Sequence, residues 1–194
     1  MPGQLRFSCD CGRCAGQLDA AAKRSGAHLV CYCRDCRAAL RHAGRADQLT
    51  ADGGVDLFQT TPDHLTFTKG ADQLALMRLG PRGLFRWHAA CCGAPLANTL
   101  PRPGLPFVGL HVARFADPAA LGPVRMHVNG KDAWPQPVRD RGVFRLVAGV
   151  IWRAVRTKLG GRGGQTPFFK VSGAPVAVAR VLTLDERRKA SRDR

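Results

Sequence analysis

A mainly β fold, stapled by metal-binding cysteines and followed by an amphipathic helix, is predicted by three observations on this chain of 194 residues. Short apolar runs recur at roughly ten-residue spacing between glycines and prolines, the pattern of hairpin-connected strands. The eight cysteines fall in three tight clusters, Cys9/Cys11/Cys14, Cys31/Cys33/Cys36 and Cys91/Cys92, and nowhere else. Beyond Trp134-Pro135-Gln136-Pro137, which cannot continue a regular element, the texture changes to a helical period.

Taken in order, Gln4 to Leu18 carries the first cluster between apolar positions, and Asp19 to Ser25 reads as a short helical or irregular link. His28 to Cys33 alternates as a strand does and feeds the turn Arg34-Asp35-Cys36. Asp52-Gly53-Gly54 is a turn, after which Val55 to Gln59, Leu65 to Thr68, Leu74 to Leu79 and Leu84 to Trp87 read as strands separated by Gly70, Gly80-Pro81 and Gly83. Phe107 to Val112, Val124 to Val128 and Val176 to Leu182 are further strand candidates. A zinc-binding β domain over residues 1–131 and a basic extension over 132–194 are expected. In the extension a helix spans 143–159, with Val143, Val147, Val150, Ile151, Ala154 and Val155 on one face and Arg145, Arg153, Arg156 and Lys158 largely on the other. Gly160-Gly161 ends it, and the charged tail DERRKASRDR is expected to be disordered.

The first two cysteine clusters repeat one pattern, C-x-C-x-x-C. In a strand, residues i and i+2 share a face, so C-x-C sets two sulfurs side by side and the x-x-C turn returns a third. Soft thiolates so spaced favour zinc, four-coordinate when structural and with one open position when catalytic. A disulfide framework is the other use of eight cysteines, with 105 pairings. MPGQLRFSCD lacks a basic stretch followed by an apolar one, so no signal peptide is expected, and no run reaches the ~18 apolar residues of a membrane span. A cytoplasmic chain with reduced thiols follows, long enough to bury a core without cross-links.

The formal net charge is +16, and from Arg139 to Arg194 fourteen Lys/Arg stand against four Asp/Glu. Such a balance points to an acidic partner: nucleic acid, an anionic membrane surface or a small anion. Only 7% of residues are aromatic and none interleave with Arg or Lys as a single-strand-binding platform would. The spacing lacks the Cys and His pairs of finger modules, and no recognition helix is expected after a cluster, so no specific nucleic-acid partner is predicted.

C-x-C-G near the start, H-x-V-C-x-C-x-x-C some twenty residues on, GADQLALMRLG, a Cys-Gly segment and LPFVGLHVARF together resemble the glutathione-dependent formaldehyde-activating enzyme family, whose zinc fold is shared by centromere protein V. The likeness covers about residues 4 to 116. It implies a β-tent fold of small antiparallel sheets and two zinc sites. The first would be structural and use Cys9 and Cys11 with Cys91 and Cys92. The second, Cys31, Cys33 and Cys36, would keep its fourth position for water or the thiol of glutathione. Formaldehyde or a related aldehyde is then the electrophile, and the activity that of a carbon–sulfur lyase or a glutathione carrier.

The chain departs from the family at Ala89, where the first cysteine of C-x-x-C-G should stand. Adjacent cysteines in a strand face opposite ways, so Cys91 and Cys92 share a metal only if a turn reorients them; Cys14 or His88 are the other candidates. Cys14, His28 and His111 are candidates to close the second site. Arg34 and Arg37, with Arg41 beyond them, could pair with the carboxylates of the tripeptide. The competing reading is a non-catalytic zinc module whose helix packs on its own domain or a second copy in a homodimer, or lies on a membrane surface through Trp152 and its arginines.

Overall fold

The computed structural model describes residues 5–192, so Gln4 and the last two residues of the tail, Asp193 and Arg194, lie outside it. Strand β1 (Leu5–Ser8) pairs with β2 (Ala15–Leu18), and the short helix α1 (Ala20–Ser25), capped by the Asp19 carboxylate, leads into β3 (Ala27–Cys31). Helix α2 (Arg34–His42) follows, then β4 (Val55–Thr60), β5 (Leu65–Lys69), β6 (Leu74–Arg78), β7 (Phe85–Ala89), β8 (Pro95–Thr99), β9 (Val108–His111) and β10 (Met126–Val128). Helix α3 (Val143–Leu159), β11 (Ala179–Val181) and α4 (Leu184–Ser191) complete the described chain.

The strands form two sheets. The smaller, in the order β1-β2-β5, is antiparallel. The larger runs β10-β3-β4-β9-β8-β7-β6-β11, antiparallel throughout except at its edges, where the three-residue strands β10 and β11 join in parallel. The fold is therefore mainly β with a few helices. Trp87, Ala97, Leu110 and Phe58 face one another across four successive strands of the large sheet and pack with Leu5, Phe7 and Leu18 of the small one. The opposite face carries Arg86, Asn98, His111, Leu57 and Leu29, and Leu29 and Leu57 form a second cluster with Cys31, Cys36 and Leu40. One face of the sheet is thus the main core, and the other carries Arg86, Asn98 and His111 beside the second cluster.

Four expectations are corrected. The residues Arg34-Asp35-Cys36, expected as a turn, open α2, so a helix does follow a cysteine cluster: Cys33 caps it, Asp35 sits in its first turn, and Ala38, Ala39 and Leu40 bury its inner face. Strand β8 was not expected; all five of its residues are buried, so it shows none of the alternation that marks a half-exposed strand. The tail is not disordered between Leu184 and Ser191, because a Thr183/Glu186 capping box starts α4 and Ala190 is buried in a cluster with Ala38 and Ala39 of α2.

The fourth concerns α3, which has the expected span but presents the unexpected face. Arg153, Ala154 and Thr157 are turned inward, while Phe144, Val147, Ile151, Trp152, Val155 and Leu159 are exposed. Polar contacts decide this: Arg153 donates to Ser25 O at 2.8 Å and to Gln59 Oε1, and Thr157 Oγ1 lies 3.4 Å from Thr61 Oγ1. Among the described residues no helix is long and apolar enough to cross a membrane.

Candidate metal centres

Two groups of sulfurs converge. Cys9 and Cys11 lie on the β1–β2 loop, held by Cys9 N–H to Cys14 O at 2.8 Å, while Cys91 and Cys92 occupy the β7–β8 turn. That turn is closed by the N–H groups of Cys92 and Gly93 on Ala89 O, and Gly93 takes a φ of 73°, the left-handed region glycine enters without strain. The adjacent cysteines therefore sit in a turn and not in a strand. Sγ of Cys9, Cys11, Cys91 and Cys92 all lie within 4.8 Å of one another. The separations are 3.6 Å for Cys9–Cys11, 3.7 Å for Cys9–Cys91 and 3.4 Å for Cys11–Cys91. A zinc tetrahedron with Zn–S of ~2.3 Å has edges of about 3.8 Å, so the four sulfurs fit that ion. All eight cysteines are free thiols.

The first centre is surrounded by charge that its motif does not announce. Arg13 donates to Cys91 O at 3.0 Å and Arg45 to Cys92 O at 3.4 Å, while Asp10 ties Arg45 to Arg114. Two guanidiniums would offset the net −2 that four thiolates around a divalent ion would carry. The hydrogen bond from Arg13 draws the Cys11 thiol down to about 6, whereas desolvation and the sulfurs of Cys11 and Cys9 push Cys91 up to about 12. Thiols this close cannot all ionise without a cation between them. Arg13 and Asp10 stand inside the first cysteine motif and could have been suspected; nothing local marks Arg45 or Arg114. Cys14 is fully buried, raised to about 11 first by burial, and supplies a backbone N–H to Cys9 Sγ at 3.3 Å. Neither its thiol nor His88 is among the four converging groups.

Gly70 supports this loop. Its φ is 65°, and a Cβ there would come within 2.2 Å of Arg13 O. Gly70→Ala is expected to cost about 2–3 kcal/mol, through both strain and displacement of the loop. Equilibrium urea unfolding checks it, and a change below ~0.5 kcal/mol would show that the loop yields freely.

The second group is Cys31 at the end of β3, Cys33 at the cap of α2 and Cys36 in its first turn, again within 4.8 Å. Among the described residues no fourth His, Cys, Asp or Glu joins them. His28 is engaged elsewhere, 2.8 Å from Asp56 Oδ1 and 2.6 Å from Gly122 O. The sulfurs have polar neighbours: Arg86 Nη1 lies 3.5 Å from Cys36 Sγ and 3.1 Å from Asn98 Oδ1, and Asn129 Nδ2 lies 3.6 Å from Cys31 Sγ. Bonds from Cys31 and Cys33, together with Arg86, pull Cys36 well below the thiol range despite its burial. Cys33 is pushed up by Cys31, Cys36 and burial. The pull on Cys36 and the push on Cys33 set the three sulfurs against one another, and a divalent cation between them is what would let all three ionise.

A cavity of about 250 Å³ adjoins this triplet between α2 and the sheet, sharing Arg86 with it. His42, His88, Asn98, His111 and Arg180 also line it, and no carboxylate does. His111 is buried, and desolvation depresses its imidazole to about 4, so it is neutral at physiological pH. Arg34 is exposed with Nε 3.8 Å from Asp132 Oδ1, and Arg37 is buried and donates to Asp132 O, tying α2 to the loop after β10. Arg41 lies in the last turn of α2. Arg86, whose guanidinium reaches Cys36 of this second group, alternates with Phe85 and Trp87 along β7 and was not among the arginines expected at the site.

A family model described as a family of unknown function, DUF6151, matches residues 1–180. A crystal structure of a Rhodobacter sphaeroides protein, a Northeast Structural Genomics target, is similar over 61% of this chain and 96% of that one, with 21% identity and a TM-score of 0.40. No curated protein matches.

Proposed function

We propose that this chain, which belongs to the DUF6151 family of unknown function, is a two-zinc protein whose first centre is structural and whose second binds a small thiol, glutathione, and adds it to an aldehyde. The observation that carries this reading is a largely buried three-cysteine group that no fourth ligand joins among the described residues, with Arg86 shared between it and a cavity lined by arginine and histidine. The resemblance of the cysteine motifs to the glutathione-dependent formaldehyde-activating family supports it. So does the fit of the four-sulfur group to a closed structural site.

Zinc at Cys31, Cys33 and Cys36 would supply an open coordination position and lower the pKa of an incoming thiol. The residues of the chain do the rest. Arg86, fixed by Cys36 and Asn98, keeps positive charge beside the sulfurs, and Arg180 at the cavity wall receives a tripeptide carboxylate. In that role these two take the place expected of Arg34 and Arg37. His111, neutral at physiological pH, would take up the thiol proton as a short-lived imidazolium and return it to the carbonyl oxygen, ending neutral again. The thiol sulfur bonds to the carbonyl carbon and the thiol proton ends on the carbonyl oxygen, giving a hydroxymethyl thioether with no other reactant consumed.

Native mass spectrometry of protein purified without chelator tests this. Two zincs and one glutathione adduct are expected in the wild type; Cys33→Ala should keep one zinc, lose the adduct and lose the protection that glutathione gives Cys31 and Cys36 against alkylation. Two zincs without an adduct, or turnover that survives Cys33→Ala, would leave both centres structural.

A further inference from the structure

Helix α3 is docked with the wrong side out for a helix that serves only its own core. Phe144 and Leu159 are more than four-fifths exposed and Trp152 nearly two-thirds. With Val147, Ile151 and Val155 they form one outward stripe along the helix, while Arg153 and Thr157 anchor the other side by hydrogen bonds. An apolar stripe of this kind on a surface, interrupted by Lys158 in the last turn, is a contact site. Beside Trp152 lies a hollow of about 260 Å³ whose walls include Arg24, Arg153, Arg156 and Arg162. Among the described residues two carboxylates meet its lining, and both are paired: the buried side chain of Asp63 lies 3.1 Å from Arg162, and Asp19 lies 2.9 Å from His64.

Charge chooses the occupant. Between Arg139 and Arg162 seven basic residues stand against Asp140 alone. A two-fold pairing of this face with itself would oppose the same basic rim on both copies. An anionic surface instead meets apolar side chains at its centre and arginines at its edge, the composition of a helix that lies in a bilayer interface.

We propose that the outward face of α3 and the arginine-lined hollow beside Trp152 form a docking surface for an anionic phospholipid membrane. The stripe enters the boundary between headgroups and acyl chains, and the hollow takes a lipid phosphate. This places the cysteine centres of the same chain at a membrane surface with no spanning helix among the described residues, and it stands apart from the thiol chemistry proposed above.

Flotation of the zinc-loaded full chain with vesicles of phosphatidylcholine alone, and of phosphatidylcholine mixed with phosphatidylglycerol, tests it. Binding is expected on the anionic vesicles, weaker by at least about tenfold on the neutral ones and weakened by added salt. The exposed pair Phe144→Ser/Ile151→Ser should lower the anionic-vesicle affinity roughly tenfold or more while leaving the zinc count and the circular dichroism unchanged. Arg24→Gln/Arg156→Gln should remove most of the preference for the anionic vesicles. The proposal is overturned by a wild type that floats with neither vesicle, by equal binding to both, or by full binding of the Phe144→Ser/Ile151→Ser variant. It is overturned equally by a wild-type dimer in sedimentation velocity that this variant dissociates without any vesicle binding, which would assign the stripe to a second copy.

Discussion

Replacing the exposed Cys11 by serine is expected to destabilise the protein by about 3 kcal/mol or more and to remove one of two bound zincs, although surface substitutions ordinarily change stability by less than ~0.5 kcal/mol. Cys11 buries nothing that packing could explain, so a large effect has to come from the metal. The four sulfurs join the small sheet to the large one through residues eighty positions apart, and breaking the joint frees that loop as well as the ion. A loss of this size is a large part of the ~5–15 kcal/mol that holds a typical domain together. Urea unfolding with metal analysis before and after chelation reads it directly. An unchanged midpoint with two zincs retained would show that three of the sulfurs suffice.

The second large effect is expected at Arg153. Arg153→Met makes α3 more apolar throughout, and by periodicity alone it should help. The structure predicts the reverse, a loss of about 2–4 kcal/mol, because Gln59 Oε1 loses its donor in a buried place and Ser25 O loses one in a partly buried place. Arg153→Lys should recover only part of it, since an ammonium cannot reproduce the guanidinium fork. Limited proteolysis between residues 139 and 163, together with equilibrium unfolding, separates a loosened helix from general destabilisation. If Arg153→Met is as stable as the wild type, the polar anchor is not what orients α3.

The cysteine clusters, most strands and the span of α3 were legible because each depends on neighbours in sequence: C-x-C spacing, glycine and proline breaks, a helical period. What depended on distant partners was not. Periodicity divides α3 into two faces, but Gln59 and Ser25 determine which is inner. Strand β8 hides because both its faces are covered. Arg86 was unreadable as a site residue because its burial beside Cys36 comes from α2 packing over the sheet. The joining of Cys91 to Cys92 at one centre turned on the left-handed backbone of Gly93, a position whose conformation no spacing rule states. The fold was therefore easier to read than the guanidiniums around the two centres.

Both edges of the large sheet are closed by strands from the later part of the chain, with β11 covering β6. Roughly a hundred residues separate the two along the chain, which at about 5–20 residues per second is some 5–20 s of synthesis. For that interval the nascent protein carries a bare strand edge, the kind of template on which chains join one another. Holding the growing chain apart from its neighbours is thus a requirement of its birth, and a chain cut short of residue 179 would keep that edge for life.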